Sequence, residues 1–205
     1  MSRLKLALIG LGRMGRVHAQ ALAKSKNIEV VAIADPSSQS IEFAENTFKD
    51  AATFADYRQA MQHAGVEACL IASPTPLHAE MVQHALSAKL HVLCEKPLAL
   101  DIATAKNMVE ISVECGIVFA TNHHLRCAGT HRKIREIVST GKIGTVYSAR
   151  INHAVSLPDR LRGWRLDSAE KGAGVVLDIV VHDVDTIRAA LGTDIVEATS
   201  LVSSQ

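Results

Sequence analysis

The sequence predicts an α/β fold built on a doubly wound parallel sheet, and three observations carry that expectation. Short apolar runs alternate, as far as Asn122, with segments whose apolar residues recur at helical spacing. Hydrophobic residues make up 48% of the chain but aromatics only 3%, so the core must be filled by Ala, Val, Ile and Leu, the usual content of strands covered on both faces. Whole helices separate successive runs, as parallel pairing requires and antiparallel hairpins do not.

In order, Leu4 to Ile9 reads as a strand, and Met14, Val17, Ala21 and Leu22 mark a helix to Ala23. Ile28 to Ala34 is a second strand, Ser37 to Asn46 a helix, Tyr57 to His63 another, and Ala68 to Ala72 a third strand. Pro76 suits the first turn of a helix reaching about Ala88, before a strand at Leu90 to Leu93. Asp101 caps a helix from Ile102 to Cys115 that Gly116 stops, and Ile117 to Ala120 follows as a strand. Charged and imidazole groups then crowd Asn122 to Arg135 and the alternation lapses, which places a boundary between a first unit, 1–122, and a second, 123–205. The second unit reads as a partial α+β domain for substrate and subunit contacts. It has a helix over Gly129 to Thr140, a strand around Val146 to His153, a polar loop to Gly174, a helix over Val175 to Leu191 and a strand near Ile195. The partners of that last strand are absent from the sequence, so association into a homo-oligomer or a frayed end is expected.

With 22 basic against 21 acidic residues, no bulk charge draws the chain to nucleic acid or an anionic membrane. No signal-peptide pattern opens it and no apolar stretch reaches about 18 residues, so a soluble cytoplasmic protein with a small-molecule partner is expected. The four cysteines, Cys69, Cys94, Cys115 and Cys127, lack metal spacing and lie in or beside apolar runs, which predicts buried free thiols. His123, His124 and His131 are the densest of ten histidines, but no carboxylate or thiol joins them at ligand spacing, and no metal is expected.

The first motif is Gly10-Leu11-Gly12-Arg13-Met14-Gly15, a GxGxxG between the first strand and the first helix. Gly10 permits the turn, Gly12 lets backbone approach a pyrophosphate, Gly15 lets the helix pack on the strand, and the helix start, with Arg13 and Met14, offers free N–H donors. Asp35 ends the second strand at the spacing where a carboxylate accepts from ribose hydroxyls. Together they predict a Rossmann dinucleotide-binding unit. A carboxylate there repels a 2′-phosphate, which favours NAD over NADP, although Ser37 and Ser38 either soften that preference or simply open the next helix.

These residues, with Ser73-Pro74-Thr75-Pro76-Leu77-His78, Glu95-Lys96-Pro97 and the run from Gly172-Ala173-Gly174 to Asp178 and His182, resemble the glucose-fructose oxidoreductase, inositol dehydrogenase and rhizopine-catabolism (Gfo/Idh/MocA) family. Within it, Thr121 to Arg126, the segments His153 to Val155 and Gly163 to Leu166, and Val181 to Asp183 are similar to members that reduce an anhydro-ketosugar. Inositol or glucose dehydrogenases are the next resemblance, and a non-catalytic coenzyme sensor is the alternative of another class. The resemblance implies hydride transfer at a sugar or polyol carbon between the two units. It also implies coenzyme contacts from Ser73, Pro74, His78, Glu95, Lys96 and Asn122, with Lys96 touching the reacting oxygen as well.

Chemistry supports these roles, because reducing a ketone builds negative charge on oxygen and requires a proton donor with a cationic stabiliser. His182 titrates nearest neutrality and is the expected acid/base. Asp178, one turn earlier, orients that ring or holds a substrate hydroxyl. Lys96, at the carboxyl end of a strand, lies where open α/β sheets bind ligands. Trp164 and Arg165, in a glycine-flanked polar loop, read either as closing over a sugar or, for the aromatic, as anchoring that long loop. His18 reads either as a coenzyme contact or as a helix-packing residue, and Asp183 and Asp185 as facing solvent or a partner element.

Overall fold

The computed structural model describes residues 2–154, 156 and 174–201. Its centre is a six-stranded parallel sheet made of β1 (Leu4–Ile9), β2 (Ile28–Ala34), β3 (Ala52–Phe54), β4 (Ala68–Ile71), β5 (His91–Glu95) and β6 (Phe119–Asn122), in the order β3-β2-β1-β4-β5-β6. The order reverses between β1 and β4. A crevice therefore opens at their carboxyl ends, the place where doubly wound sheets take ligands.

Both faces of the sheet are covered, and β1 shows how its sequence arranges this. Leu6 and Leu8 point to one side, where they pack with Ala19 of α1 (Arg13–Leu22) and Ala44 of α2 (Ser38–Thr47). Ala7 and Ile9 point to the other, toward Ala60 and Met61 of α3 (Tyr57–Met61), Val82 and Leu86 of α4 (His78–Ser87) and Met108 of α5 (Ile102–Glu114). Successive side chains alternate sides, so a stretch buried on both faces must be apolar throughout, as Leu6 to Ile9 is, while Leu4 and Lys5 at the start of the strand are exposed. Asp101 caps α5 by accepting the Thr104 N–H at 2.8 Å. Gly116 ends that helix in the left-handed region at φ +66°.

Beyond β6 a short 3₁₀ turn (His124–Cys127) leads into α6 (Gly129–Ser139), and a π-helical turn (Val176–Val180) leads into α7 (Val181–Leu191). Asp185 of α7 is 6% exposed. It accepts from Arg126, Nε at 2.8 and 3.0 Å and Nη2 at 2.6 Å, which ties the 3₁₀ turn to α7. Of the two environments expected for Asp185 it has the partner element, and Asp183 lies 3.1 Å from Nδ1 of His153.

Several expectations need correction. The strands expected at Val146 to His153 and near Ile195 are not formed among the described residues. A strand exists only by pairing, and these segments run without ladder partners, with Tyr147 and Val196 almost wholly exposed. Cys69 and Cys94 are buried, as expected, and burial pushes the Cys69 thiol up to about 12. Cys115 and Cys127 are exposed instead, because they stand at the end of α5 and in the 3₁₀ turn, past the segments that the sheet covers. Strand β3 was not foreseen. Its three residues are too few to show a period, and its pairing with β2 alone defines it.

Candidate functional site

A cavity of about 810 Å³ lies along the carboxyl ends of the strands. Its floor is the glycine loop. Gly10 has φ +87°, and a Cβ there would lie 2.8 Å from the Ala72 carbonyl oxygen and 2.9 Å from the Ser73 nitrogen. The loop can therefore cross β4 this closely only with glycine. At Gly15 a Cβ would fall 1.9 Å from the Gly10 carbonyl oxygen, so α1 packs on the loop because that position is bare. Gly12 differs in that a Cβ would meet no atom of the described residues within 4 Å, and the residue lines the cavity. The start of α1, at Arg13 and Met14, has no side-chain cap and no acidic residue in its first turn. Its orphan N–H groups and the positive end of the helix dipole are left for an anion.

At one end of the cavity Asp35 follows β2. It accepts the Leu11 N–H at 2.6 Å on one oxygen and the Ser37 N–H at 2.9 Å on the other, so the carboxylate is fixed to the glycine loop with lone pairs remaining. Ser37 is the N-cap residue of α2 and Ser38 its first residue. Beside Asp35 the wall includes Asp56, Tyr57, Arg58 and Glu80, which the sequence did not single out because they come from two separate helices, α3 with its N-cap and α4, joined here only by tertiary packing. Arg58 bonds both Asp56 and Glu80, and Tyr57 donates to Glu80 at 2.8 Å. Burial, then the bond to Glu80, pushes the Tyr57 hydroxyl up to about 12.

At the other end Ser73, Pro74, Glu95, Lys96 and Asp178 meet in one wall. The Ser73 hydroxyl oxygen is buried with no hydrogen-bond partner among the described residues. The Lys96 ammonium, following directly on β5, donates to the Asp178 carboxylate at 2.9 Å and to the Asp178 carbonyl at 2.7 Å. That carbonyl belongs to the π-helical turn, a geometry frequent at functional sites. The sequence expectation for Asp178 is to orient the His182 ring or to hold a substrate hydroxyl; in the structure its carboxylate accepts from the Lys96 ammonium.

His182 stands one turn along from Asp178, outside the cavity wall. Its ring packs edge-to-face on His124 and His123, with centroids 5.3 and 6.2 Å away. Burial, then the Lys96 ammonium, then the two neighbouring imidazoles push its titration down to about 4, against the opposing pull of Asp178. The histidine crowding in the sequence therefore packs against the acid/base candidate. No group of His, Cys, Asp and Glu able to hold a metal is present among the described residues.

Three predicted coenzyme residues stand one layer behind the wall. His78 is 1% exposed, and its ring nitrogens lie 2.8 Å from the Pro97 carbonyl and 2.9 Å from the Ser73 carbonyl, so it braces two wall segments against each other. Burial holds His78 below the ordinary histidine range despite these bonds. Gly15 acts through packing, and Asn122 through a 2.7 Å bond to Glu95. Trp164 and Arg165 lie outside the described residues.

The depressed His182 has a measurable consequence. Between about pH 6.5 and 4 the unfolded chain binds a proton at this residue that the folded chain refuses, so folding is weakened as pH falls through that window. Above 6.5 both states are neutral there and nothing is lost. His182→Gln is expected to show a smaller fall in Tm than the parent between pH 7 and 4.5 by calorimetry. Identical falls would contradict this environment.

A crevice entered by an uncapped helix start and walled by a partly buried ammonium–carboxylate pair is that of a Rossmann-type dinucleotide-binding unit. The chain belongs to the GFO/IDH/MocA family. The model described as "Oxidoreductase family, NAD-binding Rossmann fold" matches residues 4–123, and the GFO/IDH/MocA C-terminal domain matches residues 131–205. The chain is 47% identical over 139 residues to a 1,5-anhydro-D-fructose reductase of Ensifer adhaerens, which covers 68% of this chain and 42% of that protein. It is 29% identical to a myo-inositol 2-dehydrogenase of Thermotoga maritima over 95% of this chain and 57% of that protein. Its fold matches the crystal structure of myo-inositol 2-dehydrogenase from Lactobacillus plantarum with a TM-score of 0.81 and 28% identity, covering 94% of this chain and 57% of that one. The chain thus spans about half the length of the relatives it matches.

Proposed function

We infer that the chain carries the coenzyme and reaction site of an NAD-preferring oxidoreductase that moves a hydride at a carbonyl or hydroxyl carbon of a cyclic sugar or polyol, with 1,5-anhydro-D-fructose reduction as the specific reading. The observation that carries it is the Lys96–Asp178 pair, 2.9 Å apart on the wall shared with the glycine loop. The coenzyme fits the open space before Gly12 and the uncapped start of α1, and when bound it supplies or accepts the hydride. Lys96 faces the reacting oxygen and stabilises negative charge there. Asp178 holds that ammonium in place and offers an acceptor to a sugar hydroxyl. His182, neutral at pH 7, takes a proton from a hydroxyl in the oxidative direction; in the reductive one it passes a proton taken up from solvent to the product oxygen.

The NAD preference follows from Asp35, and Arg58 does not offset it because Asp56 and Glu80 already engage its guanidinium. The full chain is expected to turn over anhydrofructose with NADH at a kcat/KM at least ten times that with NADPH, with myo-inositol and glucose as the comparison substrates. Tenfold preference for NADPH would overturn the role of Asp35. Tight NADH binding without turnover of any of the three would overturn the catalytic reading and favour a sensor. By the same reading the protein is soluble, cytoplasmic and a homo-oligomer; light scattering showing a strict monomer would remove the last of these. No helix among the described residues is long and apolar enough to cross a membrane.

A further inference from the structure

His18 stands on α1, three residues past Gly15, and its Nε2 lies 2.6 Å from Glu95 Oε1. The Asn122 amide donates to that same oxygen at 2.7 Å and sits 3.3 Å from the His18 nitrogen. Three elements thus converge on one carboxylate: α1, the end of β5 and the end of β6. Glu95 is 5% exposed, and its side chain is among the few buried charges of the sheet. Burial opposes its ionisation, but the bonds from His18 and Asn122 outweigh it and hold the carboxyl below the ordinary glutamate range. A buried carboxylate fixed by two donors cannot rotate without leaving a charge unpaired, so its own backbone is fixed as well.

The next residue is Lys96. Parallel pairing to β6 ends at Glu95↔Asn122, so no ladder bond steers the chain as it leaves β5. We propose that His18 is a positioning residue for Lys96: by clamping Glu95 against Asn122 it sets the direction in which the chain leaves β5 and so places the ammonium on Asp178. The inference rests on the reading that Lys96 serves the reaction, yet its geometry is measurable without turnover.

The test is the acylation rate of Lys96 by acetic anhydride in the intact chain, read by peptide mass mapping, with exposed Lys133 as internal reference. His18→Leu is expected to raise the Lys96 rate at least fivefold while Lys133 is unchanged. His18→Gln, whose amide nitrogen stands in for Nε2, is expected to stay within twofold of the parent. Asn122→Leu removes the other donor and is expected to reproduce the Lys96-specific increase, so a His18→Leu protein that fails to fold leaves the inference exposed to that result. Where turnover is measured, kcat falls about tenfold in His18→Leu with the coenzyme KM within threefold, and Gln restores it. Unchanged Lys96 acylation in folded Leu variants, or equal loss in Leu and Gln, would assign His18 to packing alone. Altered acylation with no turnover in the parent would overturn the proposed function and leave the positioning role standing.

Discussion

Lys96→Met is expected to lower kcat/KM by a factor of about 10²–10³, the cost of removing one preorganised stabiliser of a developing oxyanion. The Lys96 side chain is 12% exposed and its ammonium makes two bonds to Asp178, so the charge is largely withdrawn from water and aimed before substrate arrives. That preorganisation is the source of the effect, because a solvated lysine would spend much of any attraction on displacing water. Met keeps the length and apolar bulk of the stem while deleting the charge. NADH affinity, followed by fluorescence, should therefore change far less than kcat/KM. A second readout comes from His182, whose titration is held down in part by Lys96; in the Met variant it should move up from about 4 in an NMR titration. A variant that turns over within tenfold of the parent would remove Lys96 from the chemistry.

The sequence made some parts of this legible and hid others, for physical reasons. Strands β1 and β2 are readable because their later residues, Leu6 to Ile9 and Val30 to Ala34, are covered on both faces, which forces apolar runs there that Lys5 and Glu29 interrupt only at the strand starts. The glycine loop and Asp35 are readable because their spacing follows from the width of one βαβ turn. The Lys96–Asp178 pair was hidden, since 82 residues separate the partners and only the tertiary fold brings the π-helical turn to Lys96. Asp178 and His182 share a helix face in the sequence, and local spacing favoured a partnership that tertiary packing redirected. The cluster of His123, His124 and His182 shows the same limit. Imidazole density is visible, but whether it binds a metal or packs ring on ring depends on α7 being drawn onto the 3₁₀ turn by Arg126 and Asp185. In 146–153 alternation alone suggested a strand, and alternation cannot supply the neighbour that a strand needs.

The second large effect is expected at the glycine loop, where Gly15→Ala and Gly12→Ala should separate stability from binding. At Gly15 the new methyl would stand 1.9 Å from the Gly10 carbonyl oxygen and 2.8 Å from its carbon, both backbone atoms that no rotamer change can move. Either α1 lifts from β1 or the Gly10 turn flattens, and Gly10 is itself pinned against Ala72 and Ser73. Overpacking of this kind costs about 1–3 kcal/mol, which for a chain of this size lowers Tm by roughly 2–12 °C. The same displacement carries the α1 N–H groups away from the anion site, so the NADH Kd should rise by about 100-fold, equivalent to ~2.7 kcal/mol. Gly12→Ala meets no atom of the described residues within 4 Å, and its Tm should match the parent while its methyl occupies the space the pyrophosphate needs. Calorimetry with and without NADH reads both quantities. A Gly15→Ala protein with parental Tm and Kd would contradict the close approach of helix and loop, and a Gly12→Ala protein that binds NADH as the parent does would place the pyrophosphate elsewhere.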